Sequence, residues 1–88
     1  MKVEFRSSFA KDLRHSKNKE LLSRIKQTIE QVEQAQSQAE IASLKRLKGG
    51  NHYYRIRVGE IRLGLIIEGD TATFVRCLNR KEIYRFFP

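Results

Sequence analysis

The sequence is poor in the residues from which disulfide scaffolds and metal sites are built. It has one cysteine, Cys77, among 88 residues, and its two histidines lie 37 positions apart. A lone cysteine excludes a disulfide-stapled secreted scaffold, and this histidine spacing is unlike that of metal ligands. We therefore predict no metal and no cofactor, and a buried structural role for Cys77.

Long apolar runs and phosphate-binding loops are also absent. The longest aliphatic stretch is interrupted by Gly64 and falls far short of the roughly 18 residues that a membrane span needs. Residues 1–6 hold no apolar stretch of signal-peptide length, and the Gly49-Gly50 pair indicates a turn. The sequence predicts one domain over residues 1–88 in a reducing, cytoplasmic setting, with no membrane partner.

What the chain has in excess is positive charge. Its 18 lysines and arginines outnumber 10 acidic residues, for a formal net charge of +8. Residues 1–40 hold 8 basic and 6 acidic residues, whereas residues 41–88 hold 10 and 4. Arginine binds phosphate oxygens in pairs, and the aromatic residues among these arginines can stack on bases. The pattern is typical of nucleic-acid binding; a solvated basic face is the alternative.

The first half of the chain has the periodicity of one short strand and two helices. Residues 3–5 alternate as a strand does. A short helix follows, capped by Ser7 or Ser8, with Phe9 and Leu13 on one face. A second helix is predicted to begin near residues 16–18. Its apolar stripe consists of Leu22, Ile25, Ile29 and Val32, which indicates a surface helix with one buried side.

The second half has the period of two that is typical of strands. Three strands are predicted from about residue 52 to residue 78, joined by tight turns at Gly59-Glu60 and at residues 68–70. A last helical turn is expected over residues 81–86. The order predicts an α+β fold of two layers: a short N-terminal strand, a two-helix hairpin, an antiparallel meander sheet and a short C-terminal helical turn, with the helices on one sheet face.

Several arginines are predicted to share the other sheet face. Arg55, Arg57 and Arg62 project from two neighbouring strands, and Arg80 and Tyr84 follow the third strand. Strands lie about 4.8 Å apart, so these side chains can converge on one patch. Unpaired arginines repel one another, and such a cluster is best explained by a bound anion. An ion-pair network with Glu60, Glu68 and Glu82 is the alternative.

The sequence resembles the RelE/ParE superfamily of toxins. The resemblance rests on FAKDL at 9–13, LKRLKG at 44–49, YRIRVGEIR at 54–62, NRKEIY at 79–84 and the final Phe87-Pro88, in an order that spans almost the whole chain. It implies a toxin–antitoxin pair, with a cognate antitoxin as partner and a toxin–antitoxin hetero-oligomer. The RelE branch cleaves messenger RNA on the ribosome without a metal, and the ParE branch acts on DNA gyrase.

The resemblance also implies roles for individual residues. Arg62 and Arg80 look like the family's phosphate-stabilising arginines, Arg55 and Arg57 lie where RelE-like toxins carry basic catalytic residues, and Tyr84 looks like the C-terminal aromatic. Lys45, Lys48, Arg76 and Lys81 are predicted to contact RNA. Arginine cannot act as a base, so the general base is left open among Lys48, His52, Glu60 and Lys81. The alternative is that no side-chain base is needed, and that strain and charge neutralisation do most of the work.

Three functions are therefore compatible with the sequence. The first is a ribosome-dependent mRNA endonuclease, the second a gyrase inhibitor without nuclease activity, and the third a non-catalytic nucleic-acid-binding module. The antitoxin is expected to be acidic and to cover an apolar groove, either over the helix pair or beside the last helix, where Phe86 and Phe87 are predicted to be exposed.

Overall fold

A computed structural model describes all 88 residues and has the α+β architecture that the sequence predicts. Its elements are β1 (Lys2–Phe5), α1 (Ser7–Arg14), α2 (Lys19–Gln34), a 3₁₀ turn (Gln38–Glu40), β2 (Leu44–Arg46), β3 (Tyr53–Val58), β4 (Ile61–Glu68), β5 (Thr71–Asn79) and α3 (Ile83–Phe86). None of the helices is both long enough and apolar enough to cross a bilayer.

The two N-terminal helices begin in different ways. Asn18 caps α2, at the end of the range in which the helix was predicted to begin, since its Oδ1 accepts a hydrogen bond from the Leu21 N–H at 3.0 Å. The prediction for α1 is wrong, because Arg6 occupies the N-cap position and no side chain caps that helix. Ser8 instead donates its hydroxyl to the Val75 carbonyl at 2.6 Å. The serine therefore ties α1 to β5 and does not cap its own helix.

The sheet has five strands in the order β1-β5-β4-β3-β2. Strands β3, β4 and β5 form the predicted antiparallel meander, and Gly59, with φ of 60°, turns the chain between β3 and β4. Two pairings were not predicted. Strand β1 pairs in parallel with β5, which makes the sheet mixed, and residues 44–46 form an edge strand beside β3 where the sequence indicated only a lead into a turn.

Helices α1 and α2 cover one face of the sheet. Fourteen buried residues form the core between them, among them Phe9 of α1, Ile25 of α2 and Leu63 of β4. The rings of Phe9 and Phe74 pack with their centroids 5.3 Å apart. Cys77 is buried in this core, as predicted. This core fixes α1 and α2 against one face of the sheet and leaves the opposite sheet face for other contacts.

The C-terminal segment crosses that opposite face. Phe87 is only 3% exposed, and its ring lies over Gly64, where an added Cβ would be 2.7 Å from Phe87 Cδ2. Tyr53 contacts the same ring edge-on, at 5.7 Å between centroids. The expectation that every helix lies on one sheet face is therefore wrong for α3. The predicted exposure is right for Phe86 and wrong for Phe87.

Candidate active site

Arg57 and Arg62 are direct cross-strand neighbours on the sheet face opposite α1 and α2. Arg57 is exposed, and its side chain forms no hydrogen bond or ion pair within the chain. Arg62 is half-buried, and its Nη1 donates to the carbonyls of Gly59 at 2.8 Å and Ile61 at 3.1 Å. These carbonyl bonds hold the Arg62 guanidinium in place but leave its positive charge without a carboxylate.

Arg80 joins this pair from the end of β5. Its backbone N–H donates to the Glu60 carbonyl at 2.8 Å, and its side-chain Nε lies 2.9 Å from Glu60 Oε2. Both partners of this ion pair are more than half exposed, so water screens the attraction between them. The contact brings the residue after β5 to the turn between β3 and β4.

Together these side chains line a polar pocket of about 470 Å³, which we call the arginine pocket. Its lining is Arg24, Ser43, Arg57, Gly59, Glu60, Arg62 and Arg80. Four guanidinium groups thus surround one carboxylate, and no apolar side chain lines the space. Like charges held this close repel one another, so the pocket is electrostatically suited to a bound anion.

Arg55 lies on the same sheet face but outside the arginine pocket. Its Nη1 donates to the Ser43 carbonyl at 3.0 Å, and its Nε is buried without a hydrogen-bond partner. Its cross-strand neighbour on β2 is Lys45. Arg55 therefore lies between the arginine pocket and the edge strand β2, which carries Lys45 and Arg46.

Tyr84 lies in a second, adjoining region rather than in the arginine pocket. This basic groove has a volume of about 410 Å³ and is lined by Lys45, Arg46, Leu47, Lys48, Tyr84, Phe87 and Pro88. Tyr84 is 57% exposed there. The sequence placed the catalytic candidates in one patch, whereas the structure divides them between the arginine pocket, Arg55 and the basic groove.

Arg76, predicted to contact RNA, has a structural partner. Its Nε and Nη2 donate to the Asp12 carboxylate at 2.8 and 3.2 Å, and its guanidinium lies 5.5 Å from the Phe86 ring centroid. The hydrogen bond to Asp12 raises the pKa of Arg76 above its ordinary value. Arg76 lines neither the arginine pocket nor the basic groove. The same is true of Lys81, which is exposed in the turn before α3.

The alternative ion-pair network is not formed. Of the three glutamates, only Glu60 pairs with an arginine; Glu68 lies 3.9 Å from His52, and Glu82 forms no ion pair. Of the four general-base candidates, only Glu60 lines the arginine pocket. Lys48 lies in the basic groove.

The residues that sequence reasoning missed are Arg24 and Ser43. Arg24 belongs to α2, and its position on the polar side of that helix gave no sign of proximity to the turn between β3 and β4. No group of three His, Cys, Asp or Glu side chains is placed to hold a metal ion. Burial, with a smaller contribution from the Asp12 charge, raises the pKa of Cys77 to about 12, so this thiol is not an activated nucleophile.

Comparison with known proteins identifies the family. No protein-family model matches the sequence. The toxin RelE3 of Methanocaldococcus jannaschii is 44% identical over 89 residues, which cover the whole of both chains. The chain belongs to the RelE family of toxins. This confirms the resemblance drawn from the ordered segments and assigns the chain to the RelE side of the superfamily.

Solved structures agree with this assignment. The RelE-family chain matches the structure of a RelB-RelE antitoxin-toxin complex from Methanococcus jannaschii at 41% identity, with a TM-score of 0.78 and 97% and 99% of the two chains covered. It shares its fold with the YoeB dimer from Staphylococcus aureus at 17% identity, with a TM-score of 0.69 and coverage of 88% and 93%. It also shares its fold with a chain of the toxin-antitoxin complex RelBE2 from Mycobacterium tuberculosis, at 21% identity, with a TM-score of 0.67 and coverage of 90% and 96% of the two chains.

Proposed function

We propose that this RelE-family toxin is a metal-independent, ribosome-dependent endonuclease of messenger RNA. The observation that carries the proposal is the arginine pocket, in which Arg57 and Arg62 have no carboxylate partner and Arg80 has only an exposed one. Cleavage of RNA gathers negative charge on a phosphate, and preorganised cations stabilise that charge most in the transition state. The pocket supplies them before the substrate arrives.

The proposed reaction is attack of a ribose 2′-hydroxyl on the adjacent phosphorus. A bond forms between the 2′-oxygen and phosphorus, the bond to the 5′-oxygen breaks, and the products are a 2′,3′-cyclic phosphate and a 5′-hydroxyl. Arg57 and Arg62 are placed to neutralise the phosphate oxygens, and Arg80 supports them. The arginines hold the phosphate in one orientation, which removes part of the entropic barrier.

Proton transfer is assigned to Glu60. The 2′-hydroxyl must lose a proton and the 5′-oxygen must gain one. An arginine does not release its proton, so Glu60 is the one side chain of the arginine pocket that can accept a proton. In this scheme the Glu60 carboxylate takes the 2′-hydroxyl proton after the substrate phosphate has replaced the carboxylate on Arg80. The leaving 5′-oxygen, on the opposite side of phosphorus, takes its proton from water.

The basic groove is proposed to hold the neighbouring nucleotide. Tyr84 presents an exposed ring there, and Lys45 and Lys48 lie beside it. A base can stack on the ring while the lysines contact the backbone phosphates. Arg55, between the two sites, is proposed to contact the RNA backbone that connects them.

The purified toxin should be added to ribosomes that are translating a defined message. Cuts within codons are expected with the wild type and should be lost with Arg62→Ala, since removing one preorganised donor reduces such rates by about 10²–10³-fold. Arg14→Ala is the matched control, because Arg14 is exposed at the end of α1, away from the pocket. Glu60→Gln should slow cleavage and leave ribosome binding intact.

The same variants separate the alternative functions. A gyrase inhibitor would leave messages intact and would inhibit gyrase supercoiling, and this inhibition would survive Arg62→Ala. That outcome would contradict the endonuclease proposal. Salt-dependent RNA binding without any cleavage would leave a binding module only.

We also propose that an antitoxin silences the toxin through the groove over the helix pair. This groove has a volume of about 540 Å³ and lies between β1, α1 and α2; its apolar lining is Val3, Phe5, Phe9, Ala10, Leu13, Leu22, Ile25 and Ile29. Phe5 is 52% exposed there, and a related chain was solved as an antitoxin-toxin complex. The net charge of +8 favours an acidic antitoxin. The charged residues that line the groove itself are Lys26, Glu30 and Glu33, so the expected occupant is the apolar face of an amphipathic segment of that antitoxin.

Hydrogen exchange tests this docking surface. Adding the cognate antitoxin should protect amides of α1, α2 and β1. The variant Phe5→Asp should weaken the complex, whereas Phe86→Asp, at the other exposed phenylalanine, should leave it unchanged. Protection confined to α3 and the basic groove would overturn this placement.

A further inference from the structure

Arg24 is the one cation of the arginine pocket that comes from the helix layer. It lies on α2 beside the buried Ile25, and its Nη1 is 3.2 Å from the position that a Cβ on Gly59 would occupy. Gly59 is favoured by the left-handed turn between β3 and β4, and it leaves room for the Arg24 guanidinium to lie close to the turn.

The Arg24 guanidinium has no partner within the chain. Glu20 precedes it by one helical turn, in the orientation that favours an ion pair along a helix, yet Arg24 pairs neither with Glu20 nor with Glu60. It donates no side-chain hydrogen bond. Arg24 thus extends toward three other arginines although an acidic residue lies on its own helix. Arg24 is exposed and also lines a neighbouring pocket with Glu20 and Glu60, beyond ion-pair distance of either. An anion from outside the chain would therefore be its first direct partner.

We propose that Arg24 binds an RNA phosphate other than the one that is cut. Arg62 reaches Gly59 through the glycine carbonyl, whereas Arg24 reaches it from the side on which a Cβ would project. The two guanidinium groups therefore approach the turn from different directions. An RNA strand that crosses this turn presents one phosphate to Arg57 and Arg62 and a neighbouring phosphate to Arg24. This inference rests on the proposed endonuclease function.

A contact with a phosphate that does not react has a kinetic signature. Its charge is the same before and during cleavage, so Arg24 stabilises the bound substrate and the transition state equally. Loss of the contact should raise KM and leave kcat unchanged. Loss of Arg62 should lower kcat instead. Arg24 is thereby a binding residue and not a catalytic one.

The test compares Arg24→Gln with Lys19→Gln, which removes the same charge from an exposed position on the same helix. The probe is a ribosome that carries a message with one 2′-deoxy nucleotide at the cut, which permits binding but not attack. For Arg24→Gln we expect Kd to rise roughly tenfold. The slope of log K against log salt concentration should become shallower by about 0.7, the value for one lost phosphate contact. Arg24→Lys should restore the salt dependence.

The phosphate at Arg24 can belong to the message or to ribosomal RNA, and binding to ribosomes without a message distinguishes the two. A loss of affinity seen only with the message assigns the phosphate to the message; an equal loss on vacant ribosomes assigns it to ribosomal RNA. The inference is overturned if the wild type cleaves and Arg24→Gln matches Lys19→Gln in Kd and salt dependence, or if Arg24→Gln lowers kcat with KM unchanged. A wild type that does not cleave at all overturns the endonuclease proposal instead.

Discussion

Arg57 and Arg62 stand opposite each other on β3 and β4, and neither forms an ion pair with a carboxylate. Like charges in directly opposed positions of an antiparallel pair destabilise a sheet. Arg62 has two carbonyl acceptors to hold it, whereas Arg57 has none. The chain therefore carries local repulsion at the place where we propose that it binds a phosphate, which is a common feature of functional sites.

The first prediction concerns Arg57 and this repulsion. Arg57→Gln should raise the free energy of unfolding by about 0.2–1 kcal/mol, because it removes one of two opposed like charges. The same change should slow ribosome-dependent cleavage by about 10²–10³-fold. Urea denaturation and a cleavage assay measure the two effects. Arg80→Gln is the control, since it also loses the ion pair with Glu60 and should show no gain in stability; a destabilised Arg57→Gln would contradict the prediction.

The second prediction concerns the contact between Gly64 and Phe87. Gly64→Ala should destabilise the fold by about 1–3 kcal/mol, because the new methyl group would overlap the Phe87 ring. The displaced C-terminal segment should carry Tyr84 away from the basic groove and reduce cleavage. A double-mutant cycle with Phe87→Leu should show coupling between the two positions. If the effects of the two substitutions on the free energy of unfolding are additive, the packing of the Phe87 ring does not depend on Gly64, and the prediction is contradicted.

The third prediction concerns the ion pair that holds α1 to β5. The Asp12 carboxylate accepts hydrogen bonds from Arg76 and from the Cys77 backbone N–H. Asp12→Ala should therefore lower the free energy of unfolding by about 2–4 kcal/mol, since it leaves a half-buried arginine and a backbone donor unsatisfied. Arg14→Ala, at an exposed site on the same helix, should have almost no effect. Equal melting temperatures for Asp12→Ala and the wild type would contradict a structural role.

The fourth prediction concerns the protonation of Cys77. Burial raises its pKa from the ordinary 9.0 to about 12, so the folded protein should react slowly with iodoacetamide at pH values where the urea-unfolded protein reacts fast. The folded state holds the thiol proton more tightly than the unfolded state. The free energy of unfolding should accordingly fall as pH rises from about 9 toward 12, and Cys77→Ala should show a smaller fall. Equal alkylation rates in the two states would refute the shift.

Much of the fold could be predicted because its signals are local. The cap at Asn18 and the alternation from Tyr53 to Asn79 lie within short windows of sequence. The parallel pairing of β1 with β5 could not be predicted in this way, since Lys2 pairs with Thr71 and nothing in either strand specifies so distant a partner. Strand β2, with three residues, is too short to show a period.

For the candidate site, the sequence predicted part of the clustering of side chains and less of their geometry. Arg57, Arg62 and Arg80 do come together, as alternation and the end of β5 indicated. Arg24 could not be found, because its contact with Gly59 depends on how α2 crosses the sheet. The ion pair of Arg76 could not be predicted, because its partner, Asp12, lies 64 positions earlier in the chain.

The chemical nature of the fragment ends tests the central claim most directly. Ribosome-bound transcripts should be incubated with the wild-type toxin, and the ends of the fragments identified by mass spectrometry. The account predicts a 2′,3′-cyclic phosphate on the upstream fragment, a 5′-hydroxyl on the downstream fragment, and no cut where the nucleotide at the cleavage position lacks its 2′-hydroxyl. Uncut transcripts, or ends with a 5′-phosphate and a 3′-hydroxyl, would contradict phosphate activation by the arginine pocket.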